Sequence, residues 1–136
     1  AGVTGWTDPD NRRTYPWENE DKEILDYYKA LISIHKRYRA FAHGSLDYLY
    51  MSYGIMCYGR WTDDERIIVV INNNDKPQEV IVPAWRVEAA NGTVFYRIVQ
   101  SGEGTWDREH KEYKVENGCI KIKCKAQGSC VIADCK

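Results

Sequence analysis

Apolar residues recur at spacings of three and four along the first third of the chain: Ile24, Leu25, Tyr28, Leu31, Ile32, His35 and Tyr38. That spacing puts them on one face of a helix. It predicts a single amphipathic helix of about five turns, close to 30 Å long by the standard rise. Asn19 supplies its N-cap, and Glu20, Asp21 and Glu23 lie favourably against the positive end of the helix dipole. The pattern fades around Arg39 and Ala40, and Gly44 breaks it. One helix cannot bury so broad a stripe on itself, so something must pack there.

After Gly44 the period changes to two. SLDYLYM and GIMCYGRW read as a hairpin around Ser52-Tyr53, and RIIVVINN as a central strand covered on both faces. NNDKP turns the chain into EVIVP. TVFYRIV, EYKV, CIKIKC and SCVIAD follow at short spacing. Seven or eight strands so arranged predict an antiparallel sandwich or barrel. Ser101 to Lys111 reads as a mobile hairpin tip. Upstream of the helix, residues 1 to 18 show no period and are punctuated by Gly2, Gly5, Pro9 and Pro16. The organisation is lopsided: a loop, one helix, then an all-β unit, with the helix looking like the last element of another domain.

Length and charge narrow the picture. The chain has 136 residues, enough for one ordinary domain. A net charge of −1, with Lys and Arg scattered among Asp and Glu, argues against nucleic acid as a partner. No apolar run approaches the roughly 20 residues needed to span a bilayer, and no signal peptide is recognised. The five cysteines, Cys57, Cys119, Cys124, Cys130 and Cys135, contain no C-x-x-C pair. Cys124 continues the alternation of Ile120 and Ile122, opposite Lys121, Lys123 and Lys125, and reads as a buried apolar residue. Reduced structural thiols and a cytoplasmic, bacterial origin are the expectation.

Three patterns carry a resemblance. The first is the loop GWTDPDNRRTYPW, with Gly5, Asp8, Pro9, Arg12, Arg13 and Trp17 in place; the second is the helix ILDYYKALISIHKRYRAF; the third is VVINNNDKPQEVIVP. Together they resemble the C-terminal end of the α-amylase superfamily, in particular the neopullulanase, cyclomaltodextrinase and maltogenic-amylase group. The resemblance covers the whole chain in order and is weakest between Ala84 and Glu116. His35 stands where that family often carries Arg or an aliphatic residue.

The resemblance implies a fold and a division of labour. Residues 1–43 would be the last loop and helix of a truncated (β/α)8 barrel. Residues 44–136 would be the Greek-key β-sandwich called domain C. The loop then lies at the C-terminal face of the barrel, where barrel enzymes keep their active sites. Asp8 and Arg12 occupy the positions that contact sugar hydroxyls in that group, and a carboxylate and a guanidinium can each grip vicinal hydroxyls in two-pronged fashion. The catalytic carboxylates of the family sit on earlier barrel strands. This stretch therefore carries no catalytic residue, no cofactor and no metal. Its expected partners are the barrel of the same polypeptide and, through it, an α-glucan oligosaccharide. A homodimer through the exposed helix face is a further expectation.

Other candidates carry less. Asp63, Asp64 and Glu65 read as a solvated turn. Asp107, Glu109 and His110 lie in the hairpin insert without further ligand groups. His35 falls on the apolar helix face, as a core or interface residue, and His43 can satisfy terminal carbonyls. The competing function is a free-standing carbohydrate-binding module stacking sugars on Trp61, Trp85 and Trp106, aided by Tyr48, Tyr50, Tyr53 and Tyr58. Against it, large aromatics in small domains generally fill the core or an interface. A protein-interaction domain unrelated to sugar survives only if the resemblance is accidental.

Overall fold

The computed structural model describes residues 2–135. It divides into two compact units, Ala1–Ile34 and His35–Lys136. The division falls inside the first helix, upstream of the 43/44 boundary drawn from the sequence.

The helical stretch is two helices. α1 spans Lys22–Arg37 and α2 spans Arg39–His43. Between them Tyr38 is extended, with φ −96° and ψ 111°, so the single helix expected through Ala40 is broken. The break has a long-range cause. The Ala40 amide donates to Glu65 Oε1 at 2.6 Å, and the Tyr38 hydroxyl reaches the Cys135 carbonyl at 3.5 Å. The start of α1 also moves. Asp21, rather than Asn19, provides the capping oxygen, accepting from the Ile24 amide at 3.0 Å.

Nine strands follow among the described residues: β1 Ser45–Ser52, β2 Ile55–Trp61, β3 Arg66–Asn72, β4 Gln78–Pro83, β5 Val94–Gly102, β6 Thr105–Asp107, β7 Glu112–Lys114, β8 Cys119–Cys124 and β9 Gly128–Ala133. Seven form one sheet, in the order β1-β2-β3-β9-β5-β6 with β7 also on β5; β4 and β8 form the second. Every pairing is antiparallel. β9 lies between β3 and β5, so neighbours in space are not neighbours in sequence, as a Greek-key path requires. The expected mainly-β antiparallel sandwich is what forms.

Alternation decides what the two sheets bury. Ile68 and Val70 of β3, Cys130 and Ile132 of β9, and Phe95 of β5 meet Val80 and Val82 of β4 and Ile120, Ile122 and Cys124 of β8 in one core. β3 is central and buried on its other face too, at Ile67 and Val69. That accounts for the unbroken apolar run in its sequence. α2 packs on β2, where the Arg60 guanidinium donates to the carbonyls of Ala40 (3.0 Å) and Phe41 (2.9 Å).

One polar residue is built into this core. Asn72, 1% exposed, donates through Nδ2 to the carbonyls of Lys76 and Lys125, both at 2.9 Å. Its Oδ1 accepts from the Asn74 amide at 3.1 Å and from Asn74 Nδ2 at 2.9 Å. The first Asn of NNNDKP therefore closes its own turn and ties that turn to the end of β8.

Candidate functional site

The loop before α1 brings Asp8 and Arg12 together. The Asn11 amide donates to the Thr7 carbonyl at 3.3 Å and the Arg12 amide to the Pro9 carbonyl at 2.9 Å. This folds the segment so that Arg12 Nε meets Asp8 Oδ1 at 2.5 Å and Arg12 Nη2 meets Oδ2 at 3.0 Å. The pair is two-pronged but open to solvent, with side chains 75% and 56% exposed. An exposed pair of this kind contributes little to stability, and both groups can exchange one another for hydroxyls. Aromatic rings crowd the same loop. Tyr15 and Trp17 lie 4.7 Å apart between centroids, and Trp6 and Trp17 are almost bare. A hollow of about 670 Å³ is lined by Arg13, Thr14 and Glu20 among others, and Glu20 Oε2 is buried without a hydrogen-bond partner.

The three tryptophans singled out in the sandwich do not share a platform. Trp61, at the end of β2, is partly buried and packs against the core cluster. Trp106 lies on β6 opposite Ser101 and is half-buried. β2 and β6 are four strand positions apart in the sheet, roughly 19 Å at the usual strand spacing. Trp85 alone of the three is exposed, at 63%. It sits on the 3₁₀ turn Ala84–Val87, which leads away from β4.

The acidic candidates serve the fold. Asp63 and Asp64 are exposed, as expected of a solvated turn, whereas the half-buried Glu65 accepts from the Ala40 amide and holds the start of α2. The Ser101–Lys111 insert does form a hairpin, β5–β6, turning at Glu103 and Gly104. Ion pairs tie it down: Arg97, whose side chain is 7% exposed, bonds Asp107 at 3.0 Å and Glu109 at 3.1 Å, and also Gln100. Lys125 adds a contact to Asp107 at 3.3 Å. Burial opposes ionisation of Asp107, but the Glu109 amide, Lys125 and Arg97 outweigh it and hold the carboxyl below the usual aspartate value. His35 is exposed rather than in the core, and stacks on Phe41 at 5.4 Å. Among the described residues no group of three or more His, Cys, Asp or Glu side chains is placed to hold a metal ion. No helix there is long and apolar enough to cross a membrane.

All five cysteines are free thiols. Burial pushes Cys57 and Cys124 up to about 12 and Cys130 to about 11. These are inert, protonated core residues.

With this geometry in place, comparison with known proteins is decisive. The profile of the family described as Alpha-amylase C-terminal domain matches residues 44–116, more than half of the chain. The chain belongs to the α-amylase C-terminal domain family.

Relatives of this amylase C-terminal domain include the amylopullulanase of Thermoanaerobacterium saccharolyticum, 29% identical over 98% of the chain and 11% of the relative. The cyclomaltodextrinase of Thermoanaerobacter pseudethanolicus is 42% identical over 60% of the chain and 14% of its own length. The amylase C-terminal domain thus spans about a tenth of the amylopullulanases that it matches. Among solved structures, an α-amylase from Geobacillus thermoleovorans, complexed with acarbose, aligns over 95% of the chain and 26% of its own, with TM-score 0.77 and 20% identity. That likeness confirms the fold, helix included.

The signal that sequence reasoning missed is the seat of Trp85. The 3₁₀ turn lies in the stretch between Ala84 and Glu116, where the family resemblance is weakest.

Proposed function

We propose that this chain is the non-catalytic C-terminal part of a glycoside hydrolase acting on α-glucans or maltooligosaccharides. In this reading the loop and α1 complete a catalytic barrel supplied by the same polypeptide. The sandwich packs against that barrel and stabilises it, and Asp8 and Arg12 hold sugar hydroxyls beside the reacting bond.

The observation that carries the reading is the face of α1 formed by Ile24, Tyr28 and Ile32, all exposed at spacings of four. Burying one such side chain is worth about 1.5–3 kcal/mol. A stripe of them left in water is unusual for a finished surface and suits a surface awaiting its partner. The relatives, several times longer than this chain, support such a partner within one polypeptide.

The test uses the complete polypeptide. Ile32→Asp should lower its melting temperature and its rate on maltotriose together, and Arg12→Ala should raise KM roughly tenfold with little change in melting. An Ile32→Asp enzyme that melts and hydrolyses like the parent would sink the packing role. Self-association of this chain through the same face, abolished by Ile32→Asp, would instead assign that face to a homodimer.

A further inference from the structure

Trp85 is exposed, yet the turn that carries it is held in place. The 3₁₀ turn Ala84–Val87 is pinned by its own buried residues, Ala84 and Val87, both fully buried. Val87 needs the absence of a side chain opposite it, since a Cβ on Gly59 would meet its Cγ1 at 2.2 Å. The outward Arg86 is fixed as well, bonding Asp47 Oδ2 at 2.6 Å and the Tyr48 carbonyl at 3.0 Å. What remains is the indole. It lies against Gly118, where a Cβ would sit 3.3 Å from Trp85 Cδ1. Gly118 belongs to the Asn117–Gly118 turn, with φ of 50° and 75°, the left-handed pair that a tight hairpin demands. The Trp85 amide donates to the Gly118 carbonyl at 3.1 Å, and the Gly118 amide donates to Asn91 Oδ1 at 2.7 Å. The backbone that carries the ring is thus fixed, with one side of the indole at a glycine and much of the rest in water.

Polar groups stand next to it. Asn117 is exposed at the rim of the seat. From there a groove of about 590 Å³ runs along β8, past the exposed Ile81 and the Lys121–Glu79 pair. Four lysines and three glutamates line it, so its charges nearly cancel. A balanced groove gives no reason to concentrate nucleic acid, phosphate or a polyanion. It suits a neutral ligand rich in hydroxyls, which ammonium, carboxylate and carboxamide groups can all hydrogen-bond. An exposed indole suits the apolar C–H face of a pyranose ring, and a turn already fixed beneath it lowers the ordering cost of binding.

We propose that Trp85 on its Asn117–Gly118 seat is a carbohydrate-binding site of the sandwich. It takes one pyranose ring of a neutral oligosaccharide by stacking, with the following sugars along β8. The site is separate from the Asp8–Arg12 loop, and it does not depend on how α1 is covered.

The test is a titration of this chain with maltoheptaose, following the five Trp indole N–H signals by NMR; the Trp85 signal is assigned by its loss in Trp85→Phe. Saturable shifts at Trp85 and Asn117 are expected. Trp85→Ala should weaken binding about tenfold or more, while Trp85→Phe keeps part of it. Asp8→Ala with Arg12→Ala should leave the Trp85 shifts unchanged. No shift at Trp85, shifts confined to the Asp8–Arg12 loop, or undiminished affinity in Trp85→Ala would each overturn the proposal. None of these outcomes bears on the packing role of Ile32, whose test is separate.

Discussion

The segment before α1 and the core of the sandwich obey opposite economies. In the sandwich, apolar residues at period two find one another. Phe95, Val70, Ile120 and Ile132 are fully or almost fully buried, and the buried Asn72 satisfies both ends of its side chain internally. In the N-terminal segment, Trp6, Tyr15 and Trp17 stay exposed, the two-pronged Asp8–Arg12 ion pair lies in solvent, and a carboxylate oxygen of Glu20 is buried without a donor. A sequence dense in aromatics and charges can therefore mean a packed interior or a surface built toward something else. Internal satisfaction of its groups is what tells the two apart.

Perturbations should separate the two regions, and they order themselves by size. Phe95→Ala removes the largest fully buried side chain of the core and should cost about 3–5 kcal/mol in urea unfolding. A smaller loss would mean that the core collapses around the gap. Asn72→Ala leaves the Lys76 and Lys125 carbonyls and the Asn74 amide without their partner. It should cost about 1–3 kcal/mol, and hydrogen exchange should rise at Asn74.

Acid should act on the sandwich through Asp107. Its folded pKa is depressed. Its contribution is therefore present above the ordinary aspartate range, near 3.9, and is lost as the pH falls through the lower folded value. Asp107→Asn should flatten that part of the stability profile, and a profile of unchanged slope would remove Asp107 from the account. At the small end, Arg12→Ala should change the stability of this chain by no more than about 0.5 kcal/mol, as expected of an exposed pair. A large destabilisation there would erase the contrast between the two regions.

Much of this architecture was legible in the sequence, and what was missed has a common cause. Period two located the main strands because each has one face on the core, and the unbroken RIIVVINN run located the strand covered on both faces. The helix periodicity ran on through Ala40 because Tyr38 and Ala40 do point inward, both buried. The interruption at Tyr38 comes from Glu65, far along the chain, and no local pattern reports it. Nothing in TVFYRIV singles out Arg97, which organises the β6 hairpin through Asp107 and Glu109. The resemblance singled out Asp8 and Arg12 for contact with sugar hydroxyls, and the loop pairs them with each other. It could not rank Trp61, Trp85 and Trp106, because exposure depends on which side of each strand end meets the core.

The position of β9 bears on how the molecule is made. Its six residues, Gly128–Ala133, fill the slot between β3 and β5, and that slot is the middle of the larger sheet. During synthesis the β1–β2–β3 meander and the β5 hairpins can form as local pieces. β3 and β5 must then keep unpaired edges until the final segment of the sandwich has left the ribosome. Open edges of apolar strands invite pairing with other chains, and long-range closure is slow. The synthesis of β9 thus sets the interval during which the nascent sandwich is most exposed to aggregation.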